Sequence, residues 1–514
     1  MSHTRRDFIR YVVAGSIASG CPIDKALLAA PAVSASPLVD GEHFAICHNI
    51  RDQHSYARPD ATQKTDIVII GGGMAGLSAS YFLRGKDWLL LEKEDHFGGN
   101  AYQEEYDGQP FATGAAYDFH GSFSDQLATE LGLHMPLVDM PDPTIDNGQY
   151  VPDTWVSGLD HLPYKKNVVA SFKKFRDDML KIDVRKKILE LDAQPFTDFT
   201  NAYAPEVAKW WDAYGPSNWG AVTEDTSAFI GIFDAQYLIK GEDNTRAILP
   251  GGLGCISHKL VEVMKPKFGD RMLGGATVTS VVHDSDGVRV TYLQGDKLTT
   301  VTAKIAIVAA PKYIASRLVA GLPNDQKQAM HRMRYAPYPV VNMIFDKPVY
   351  NRGYDNWCPG NSFTDFIVAD WTIRNNPGYK PKHHILSFYT PLRESERSTL
   401  LQEDDCKTLA AKVLTDFQKA LPEFNVDPIE IRIFRRGHPM MMAVPGQYTQ
   451  NRTVASRPMD RIFFANSDSG GPESLSTEAV RISHAASEWA NLVLAGKANS
   501  ATEIAHKALT EFSL

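Results

Sequence analysis

Three glycines at fixed spacing are the strongest chemical signal in this sequence of 514 residues. They belong to the run Gly71, Gly72, Gly73, Met74, Ala75 and Gly76, which fits the pattern G-x-G-x-x-G. In such a run Gly71 permits a tight turn, and Gly73 lets the backbone approach a phosphate because it has no Cβ. Gly76 lets the following helix pack closely on the preceding strand. The run, including Met74 and Ala75, is therefore predicted to bind the pyrophosphate of a dinucleotide at a helix N-terminus.

The elements around the glycines are those that such a site needs. An apolar run, Ile67–Ile70, is typical of a strand buried on both faces, and a helical stretch follows over Leu77–Arg84. A second apolar run, Trp88–Leu91, ends at Glu92, whose carboxylate could accept hydrogen bonds from ribose hydroxyls. We include the adjacent Lys93 in the predicted site. The order of strand, glycines, helix, strand and acid distinguishes a dinucleotide site from a plain strand-to-helix turn.

A second glycine motif, a Gly-Gly pair, favours FAD over NAD as the dinucleotide. Gly98, Gly99 and Asn100 follow the acid closely, and this arrangement resembles the glutathione-reductase-like FAD flavoproteins, which include amine oxidases and phytoene desaturases. In that group this segment passes along the pyrophosphate toward the flavin, and the strand at Val278 meets the adenine through its backbone. The resemblance therefore implies FAD, bound by Gly98, Gly99, Asn100 and Val278 together with the first glycine loop.

The resemblance also implies the domain organisation. We expect an α/β fold in which a glutathione-reductase-like FAD-binding Rossmann domain is interleaved with an α+β substrate domain. The FAD-binding domain is predicted to comprise residues 66–134, 249–330 and 455–514, the last with the C-terminal helix. The substrate domain is predicted to comprise residues 135–248 and 331–454, and residues 36–65 are predicted to be an N-terminal linker or extension. Aromatic residues are dense in the first substrate segment, and most of them are expected to be core.

Residues 1–35 are predicted to be a twin-arginine signal peptide. Arg5 and Arg6 precede an apolar pair and a short apolar stretch, Tyr11–Gly20, which is too short to span a bilayer. This pattern predicts export to the periplasm by the twin-arginine translocase, which carries folded proteins, often with their cofactor in place. The residues before Cys21 faintly resemble a lipoprotein cleavage box, so a lipid anchor at Cys21 is the alternative.

Composition excludes several other classes of protein. The formal net charge of −8 gives no reason to expect nucleic acid as a partner. The five cysteines show no CxxC spacing, which excludes a dense disulfide framework and a cysteine zinc site and leaves one disulfide open.

A motif near the C-terminus indicates which branch of the FAD flavoproteins the sequence resembles. A predicted buried strand leads into Ala465-Asn466-Ser467-Asp468-Ser469-Gly470-Gly471, and the helix that begins at Ser476 could stabilise negative charge on a reduced flavin. Together with the FAD motifs and Pro250-Gly251-Gly252, this ending resembles spermidine-dehydrogenase-like FAD oxidoreductases, a branch near the amine oxidases. The sequence lacks the Arg-Thr and Gly-Glu-His-Thr-like stretches usual in ordinary amine oxidases. Asp468 is the predicted ribityl partner, with a helix or turn cap as the alternative.

The same resemblance implies haem as a further candidate cofactor. The segment His48-Asn49-Ile50-Arg51-Asp52 is similar to the one that precedes the FAD motif in spermidine dehydrogenases, where a haem accompanies the flavin. His48 is accordingly the candidate axial ligand. The alternative, a histidine packed in a linker, is favoured because the sequence identifies no second ligand.

The expected reaction is oxidation of an amine C–N bond by hydride transfer to flavin N5, followed by hydrolysis of the imine. His438, Tyr448 and Trp357 are the candidate catalytic or wall residues for the amine. The electron acceptor is expected to be a cytochrome, a quinone or O₂. Two alternatives stay open. An FAD-dependent desaturase or dehydrogenase acting on a C–C or C–O bond predicts an apolar tunnel without a polar amine subsite, and a non-catalytic flavin-binding subunit predicts a partner protein.

Overall fold

The computed structural model describes residues 36–52, 55–139, 141–242, 245–284, 287–374 and 382–510. Arg5, Arg6 and Cys21, on which the export and lipid-anchor predictions depend, lie outside the described residues. The strands are β1 Leu38–Gly41, β2 Ala61–Ile70, β3 Trp88–Leu91, β4 Gln103–Tyr106, β5 Gln109–Ala112, β6 Tyr117–Asp118, β7 Leu137–Asp139, β8 Thr144–Asp146, β9 Gln149–Val151, β10 Thr245–Ile248, β11 Met272–Leu273, β12 Ala276–Asp284, β13 Gly287–Gln294, β14 Lys297–Val308, β15 Tyr335–Ala336, β16 Val340–Phe345, β17 Asp355–Trp357, β18 Asp365–Val368, β19 His384–Tyr389, β20 Glu430–Arg435, β21 Met440–Met441 and β22 Ile462–Phe464.

The α-helices lie between and after these strands along the chain. They are α1 Ala45–Arg51, α2 Met74–Phe82, α3 Phe123–Glu130, α4 Lys166–Met179, α5 Ile188–Asp192, α6 Thr197–Thr200, α7 Pro205–Trp219, α8 Ala228–Ile239, α9 Gly254–Phe268, α10 Lys312–Leu318, α11 Asn324–Arg332, α12 Trp371–Arg374, α13 Glu403–Ala420, α14 Thr453–Ala455, α15 Ser476–Leu494 and α16 Ala498–Thr510.

The first large sheet contains the dinucleotide motif. Its strands lie in the order β11-β3-β2-β14-β13-β12, and β22 pairs with the end of β14. Ile67–Ile70 pairs in parallel with Trp88–Leu91 on one side and Ile305–Val308 on the other. All three segments are buried, as expected for parallel strands covered on both faces. Because parallel strands end at one edge, the glycine loop, Glu92 and the residues after β14 gather there.

Helix α15 joins the C-terminal segment to the first FAD-binding segment. It packs against α2, and Ser483 donates a hydrogen bond from Oγ to the carbonyl oxygen of Ala75 at 2.8 Å. Residues with small side chains on α2, among them Gly76, Ser78 and Ala79, are buried and allow this close approach. Segments from the two ends of the described chain therefore build one domain.

The second large sheet has the strand order β1-β20-β16-β19-β18-β17-β8-β9. One row of directly paired residues crosses most of it, from strand to strand: Asp40, Phe434, Val340, Tyr389, Asp365 and Trp357. Paired residues project from the same face of a sheet. The row therefore presents its side chains together, and the substrate domain gains one continuous wall.

A helical layer, α4 to α8, surrounds a dense aromatic core beside this sheet. Trp155, Trp210 and Trp211 are almost completely buried, and Trp155 contacts the rings of Phe172 and Phe175, each with a centroid separation of 5.7 Å. The expectation that most aromatic residues of this segment are core is confirmed.

The N-terminal extension is part of the fold and does more than link. Strand β1 pairs in parallel with β20 of the substrate sheet, and helix α1 follows it. Sequence patterns missed both elements because β1 is short and only half-buried.

The four cysteines within the described residues, Cys47, Cys255, Cys358 and Cys406, are free thiols. Within the same residues, no helix combines the length and apolar character needed to cross a membrane.

Candidate functional site

The glycine loop has the geometry that its spacing predicts. Gly71 has φ +102°, and a Cβ there would lie 2.6 Å from the carbonyl oxygen of Ala309. A Cβ on Gly76 would lie 1.8 Å from the carbonyl oxygen of Gly71, so any side chain would separate α2 from β2. At Gly73 the nearest atom to an added Cβ is 3.8 Å away, in the backbone of Gly99. This space beside Gly73 is the cradle in which a pyrophosphate would fit.

Glu92 closes the same edge of the sheet. Its Oε2 accepts a hydrogen bond from the backbone N–H of Gly72 at 2.5 Å, and its Oε1 accepts one from Glu94 at 2.9 Å. Burial raises the pKa of Glu92, while these two N–H donors counteract the shift. The neighbouring Lys93 forms an ion pair with Glu94. Burial alone would lower the pKa of Lys93, but Glu42 and Glu94 outweigh it and raise the pKa.

The second glycine pair lies directly against the first loop. Gly98 (φ +131°) donates its N–H to the carbonyl oxygen of Gly72 at 2.9 Å, and Gly99 has φ +58°. Both conformations favour glycine. Asn100 donates from Nδ2 to the carbonyl oxygen of Pro439 at 2.9 Å, which connects the FAD-binding segment to the substrate domain. Val278 lies in β12, just before an irregularity in the strand register.

A cavity of about 940 Å³ connects these residues. The predicted cofactor residues Gly71, Gly73, Met74, Ala75, Glu92, Lys93, Gly98, Gly99, Asn100 and Val278 line one side of it. Gly76 lies behind the loop, where it sets the approach of helix and strand. The glycine cradle, the buried acid and the volume of the cavity fit FAD, and these are the residues that would hold it.

Asp468 has a different position from the one predicted. It is completely buried, and its carboxylate contacts Lys312 Nζ at 2.5 Å, the Lys312 N–H at 2.9 Å and the Tyr335 hydroxyl at 2.6 Å. The interpretation of Asp468 as a ribityl partner is therefore replaced by one of a structural anion. Asn466 and Ser467, earlier in the same turn, line the cavity instead. Sequence reasoning chose the charged residue of the motif, whereas the fold turns that charge inward.

The paired row of the substrate sheet forms the opposite wall of the cavity. Trp357, Asp365, Tyr389, Val340, Phe434 and Asp40 all line it. Trp357 is almost completely buried, and the centroid of its ring lies 4.6 Å from that of Tyr214. Trp357 is thus a wall residue of the cavity, and its role toward an amine stays a prediction. Tyr448 is not a wall residue of the cavity. Its ring stacks on that of Phe229 inside the aromatic core, with a centroid separation of 5.3 Å.

His438 lines the cavity beside helix α1, in the part that Phe44, His48 and Tyr313 also line and that we call the second arm. Its ring packs 4.7 Å from Tyr313, and burial together with the nearby Arg397 lowers its pKa to about 4. His48 lines the same arm, with its ring 5.2 Å from that of Phe44. Burial and Arg51 lower the pKa of His48 as well. Both imidazoles are therefore neutral near pH 7, which is the form that binds iron.

Among the residues that the structure describes, no group of three or more His, Cys, Asp or Glu side chains could hold a metal ion. The haem hypothesis at His48 stays a prediction. The two neutral imidazoles fit a haem pocket in donor chemistry, and the aromatic and aliphatic side chains of Phe44, Tyr313 and Ile314 line the arm around them.

Buried acids in the cavity are the feature that sequence reasoning missed. Asp234, on α8, hydrogen-bonds to Glu473, in the loop before α15, and both line the cavity while remaining less than one-tenth exposed. Burial and the Glu473 carboxylate raise the pKa of Asp234 well above its usual value. A second acid, Asp365, hydrogen-bonds to Asp355, and burial raises its pKa to about 7. No local motif signals either pair, because its members come from separate elements.

The chain is similar over most of its length to known oxidoreductases. It is 22% identical to the oxidoreductase PigB of Serratia sp. over 493 residues, which cover 79% of this chain and 72% of that protein. Among solved structures, putrescine oxidase bound to putrescine has a TM-score of 0.64 at 18% identity. Cyclohexylamine oxidase from Brevibacterium oxydans has a TM-score of 0.65 at 18% identity. Each alignment spans 84% of this chain and 99% of the other.

These similarities confirm the predicted α/β fold. The family model of the flavin containing amine oxidoreductases matches residues 74–503, which run from the helix after the glycine loop to the C-terminal helix. The match confirms the prediction of FAD as cofactor and of an oxidoreductase. This chain belongs to the flavin containing amine oxidoreductase family.

Proposed function

We propose that this protein oxidises an amine at its C–N bond. The observation that carries the proposal is the buried acid pair Asp234–Glu473 in a cavity otherwise rich in aromatic rings. A cationic or hydrogen-bonding amine is stabilised by such carboxyl groups and by aromatic faces. FAD, when bound, would accept a hydride from the carbon next to the nitrogen.

The protein's own residues would orient the amine and exclude water. Trp357 and Tyr389 lie in the paired row, and Tyr338 fixes its hydroxyl on Ser217 Oγ at 2.8 Å. All of them are less than one-tenth exposed, except Ser217, which is half-buried. Such a rigid wall positions the reacting carbon and lowers the entropy cost of reaching the transition state.

The alternative of a desaturase acting on a C–C or C–O bond is less well supported. That chemistry predicts a cavity without a polar amine subsite, whereas this cavity contains the carboxyl groups of Asp234, Glu473, Asp355 and Asp365. Burying four carboxyl groups beside an apolar substrate would be costly with no ligand to offset it. A non-catalytic flavin-binding subunit would give no reason for such a lining.

An anaerobic screen tests the proposal. The purified holoprotein is mixed with a panel of primary, secondary and cyclic amines, and the flavin absorbance is followed. At least one amine should bleach the flavin, and the matching alcohol or alkane should not. If alcohols or alkenes bleach it and no amine does, the alternative chemistry is favoured; a flavin that no small molecule bleaches favours the partner-subunit interpretation. Turnover with O₂ is then compared with turnover with a one-electron dye or a quinone, which identifies the class of acceptor.

We also propose a test for a second cofactor, a haem held through His48, against the alternative of a packed histidine that the sequence favours. The support is the sequence similarity around His48 and the neutral state of His48 and His438 in one arm of the cavity. Protein from haem-replete cells should show a Soret band beside the flavin bands, and His48→Ala should remove or shift it. The exposed His506 provides the control, because His506→Ala should leave the spectrum unchanged. A flavin spectrum alone would reject the haem.

We propose that the protein is exported to the periplasm by the twin-arginine translocase. The support is the sequence around Arg5 and Arg6. Changing both arginines to lysine should leave the precursor in the cytoplasm, as detected by fractionation and immunoblotting. Undiminished mature protein in the periplasm would contradict the proposal.

A further inference from the structure

The carboxyl groups of Asp234 and Glu473 meet where the two domains face each other. Asp234 belongs to helix α8 of the substrate domain, and Glu473 to the loop that leads into α15 of the FAD-binding domain. They are hydrogen-bonded, which requires that the pair hold at least one proton. With one proton the pair carries a single negative charge inside the cavity.

A third carboxyl group lies at the same end of the cavity. The segment that follows Asp118 contacts both elements of the pair: the ring of Phe119 meets Tyr237 of α8 at 5.8 Å, and the N–H of Phe123 donates to Thr477 Oγ1 of α15 at 3.0 Å. Asp118 is 5% exposed and lines the cavity, and its Oδ2 has no hydrogen-bond partner within the described residues. A buried acceptor without a partner indicates a place for a donor from a ligand.

The surroundings give the singly protonated pair a high affinity for a second proton. The titratable groups that line the cavity on the elements around the pair are Tyr237 on the helix of Asp234, Tyr214 on α7, Asp118 at the end of β6, and Glu478 on α15. Glu478 is held by Arg481 at 2.7 Å, and no lysine or arginine of α8 lies beside Asp234 in the helix. Burial therefore raises the proton affinity of the pair. It also lowers the proton affinity of an amine in the same cavity, because burial disfavours the charged ammonium form.

We propose that the Asp234–Glu473 pair accepts the proton that an ammonium substrate must lose before its C–N bond can be oxidised. In this step one N–H bond breaks, its electrons stay on nitrogen as the lone pair, and the proton forms an O–H bond with the ionised carboxylate of the pair. The amine becomes neutral and the pair becomes uncharged, so no charge remains buried. No electron is transferred in this step. The inference rests on the amine chemistry proposed above and adds the group that prepares the substrate.

Two isosteric variants test it: Glu473→Gln and Asp234→Asn. With the amine that best reduces the wild-type flavin, each variant should slow anaerobic flavin reduction by about 100-fold or more at neutral pH, the usual effect of losing a general base. A fluorinated analogue of the same amine, already neutral at the assay pH, should reduce wild type and variants at similar rates. Asp192→Asn is the control, because Asp192 is a buried acid of the substrate domain that does not line the cavity. A merely structural role would slow both substrates alike, and that result would overturn the proposal.

A binding measurement gives a readout that does not depend on turnover. The probe is tert-butylamine, which has no C–H next to nitrogen and so cannot be oxidised. Calorimetry in buffers of different ionisation enthalpy counts the protons released when it binds. The wild type should release none, because the pair takes the proton, whereas Glu473→Gln should release close to one. No release from the variant would mean that the amine binds as ammonium, and the proposal would be wrong.

The outcomes separate this inference from the proposed function. If no amine reduces the wild-type flavin, amine oxidation itself is wrong. If amines reduce the wild type and both variants equally well, amine oxidation stands and the role of the pair is rejected. Flavin content and the thermal transition of each variant establish that it is folded.

Discussion

Lys312 Nζ lies 2.5 Å from Asp468 Oδ1, and both side chains are completely shielded from solvent. The pair joins the start of α10 to the turn after β22, so it connects two segments of the FAD-binding domain. Burial lowers the pKa of Lys312, and Asp468 counteracts the shift. A buried ion pair of this kind stabilises little as a whole, but the loss of one partner leaves an uncompensated charge.

Asp468→Ala should therefore destabilise the protein by about 3–5 kcal/mol. Urea denaturation of the holoprotein, followed by fluorescence, measures the change in the free energy of unfolding. The double variant Lys312→Met with Asp468→Asn should be less destabilised than the sum of the two single variants, because it buries no unpaired charge. A single variant within about 0.5 kcal/mol of wild type, the range of ordinary surface substitutions, would show that the charge reaches water.

Gly73→Val should abolish FAD binding without preventing folding. An added Cβ at Gly73 has no atom closer than 3.8 Å, so the protein itself accommodates it, whereas a valine would fill the phosphate cradle. The ratio of flavin to protein absorbance measures occupancy. Gly85→Val is the matched control, because a Cβ at Gly85 has no neighbour within 4 Å and Gly85 lies outside the cavity. Full flavin content in Gly73→Val would refute the assigned cradle.

Glu92→Ala should weaken FAD binding by about 10- to 140-fold. This range corresponds to the loss of about 1.5–3 kcal/mol from a hydrogen bond to a charged group. Titration of deflavinated protein with FAD, followed by flavin fluorescence, gives the dissociation constant. Glu92→Gln should lose less affinity, because its amide oxygen can still accept from the N–H of Gly72. Equal affinity in wild type and Glu92→Ala would mean that Glu92 supports only the loop.

Asp365 should make the protein less stable as the pH rises. Burial raises its pKa to about 7, well above the value of about 4 in an unfolded chain. The folded protein thus holds this proton more tightly, and the resulting stability is complete below about pH 4 and lost as the pH rises through about 7. Asp365→Asn should remove this component, so its free energy of unfolding should change less between about pH 5 and about pH 8 than that of wild type. Asp296→Asn, in an exposed turn, should keep the wild-type dependence; so would Asp365→Asn if the burial had no effect.

The sequence by itself determined the dinucleotide site and its cofactor class. Gly71, Gly73 and Gly76 act through backbone geometry within one strand, one turn and one helix, and such local geometry is encoded by spacing alone. The strands at Ile67–Ile70 and Trp88–Leu91 were predictable for the same reason, because buried strands have short apolar runs.

Only the tertiary structure decided which polar groups line the cavity. Asp234 and Glu473 come from separate domains, and their contact depends on how α8 packs against the loop before α15. The same packing turns Asp468 toward Lys312 and buries Tyr448 on Phe229. Residue type gives no sign of these directions, because the partner that satisfies a buried charge or ring is chosen by long-range packing rather than by neighbours in the chain.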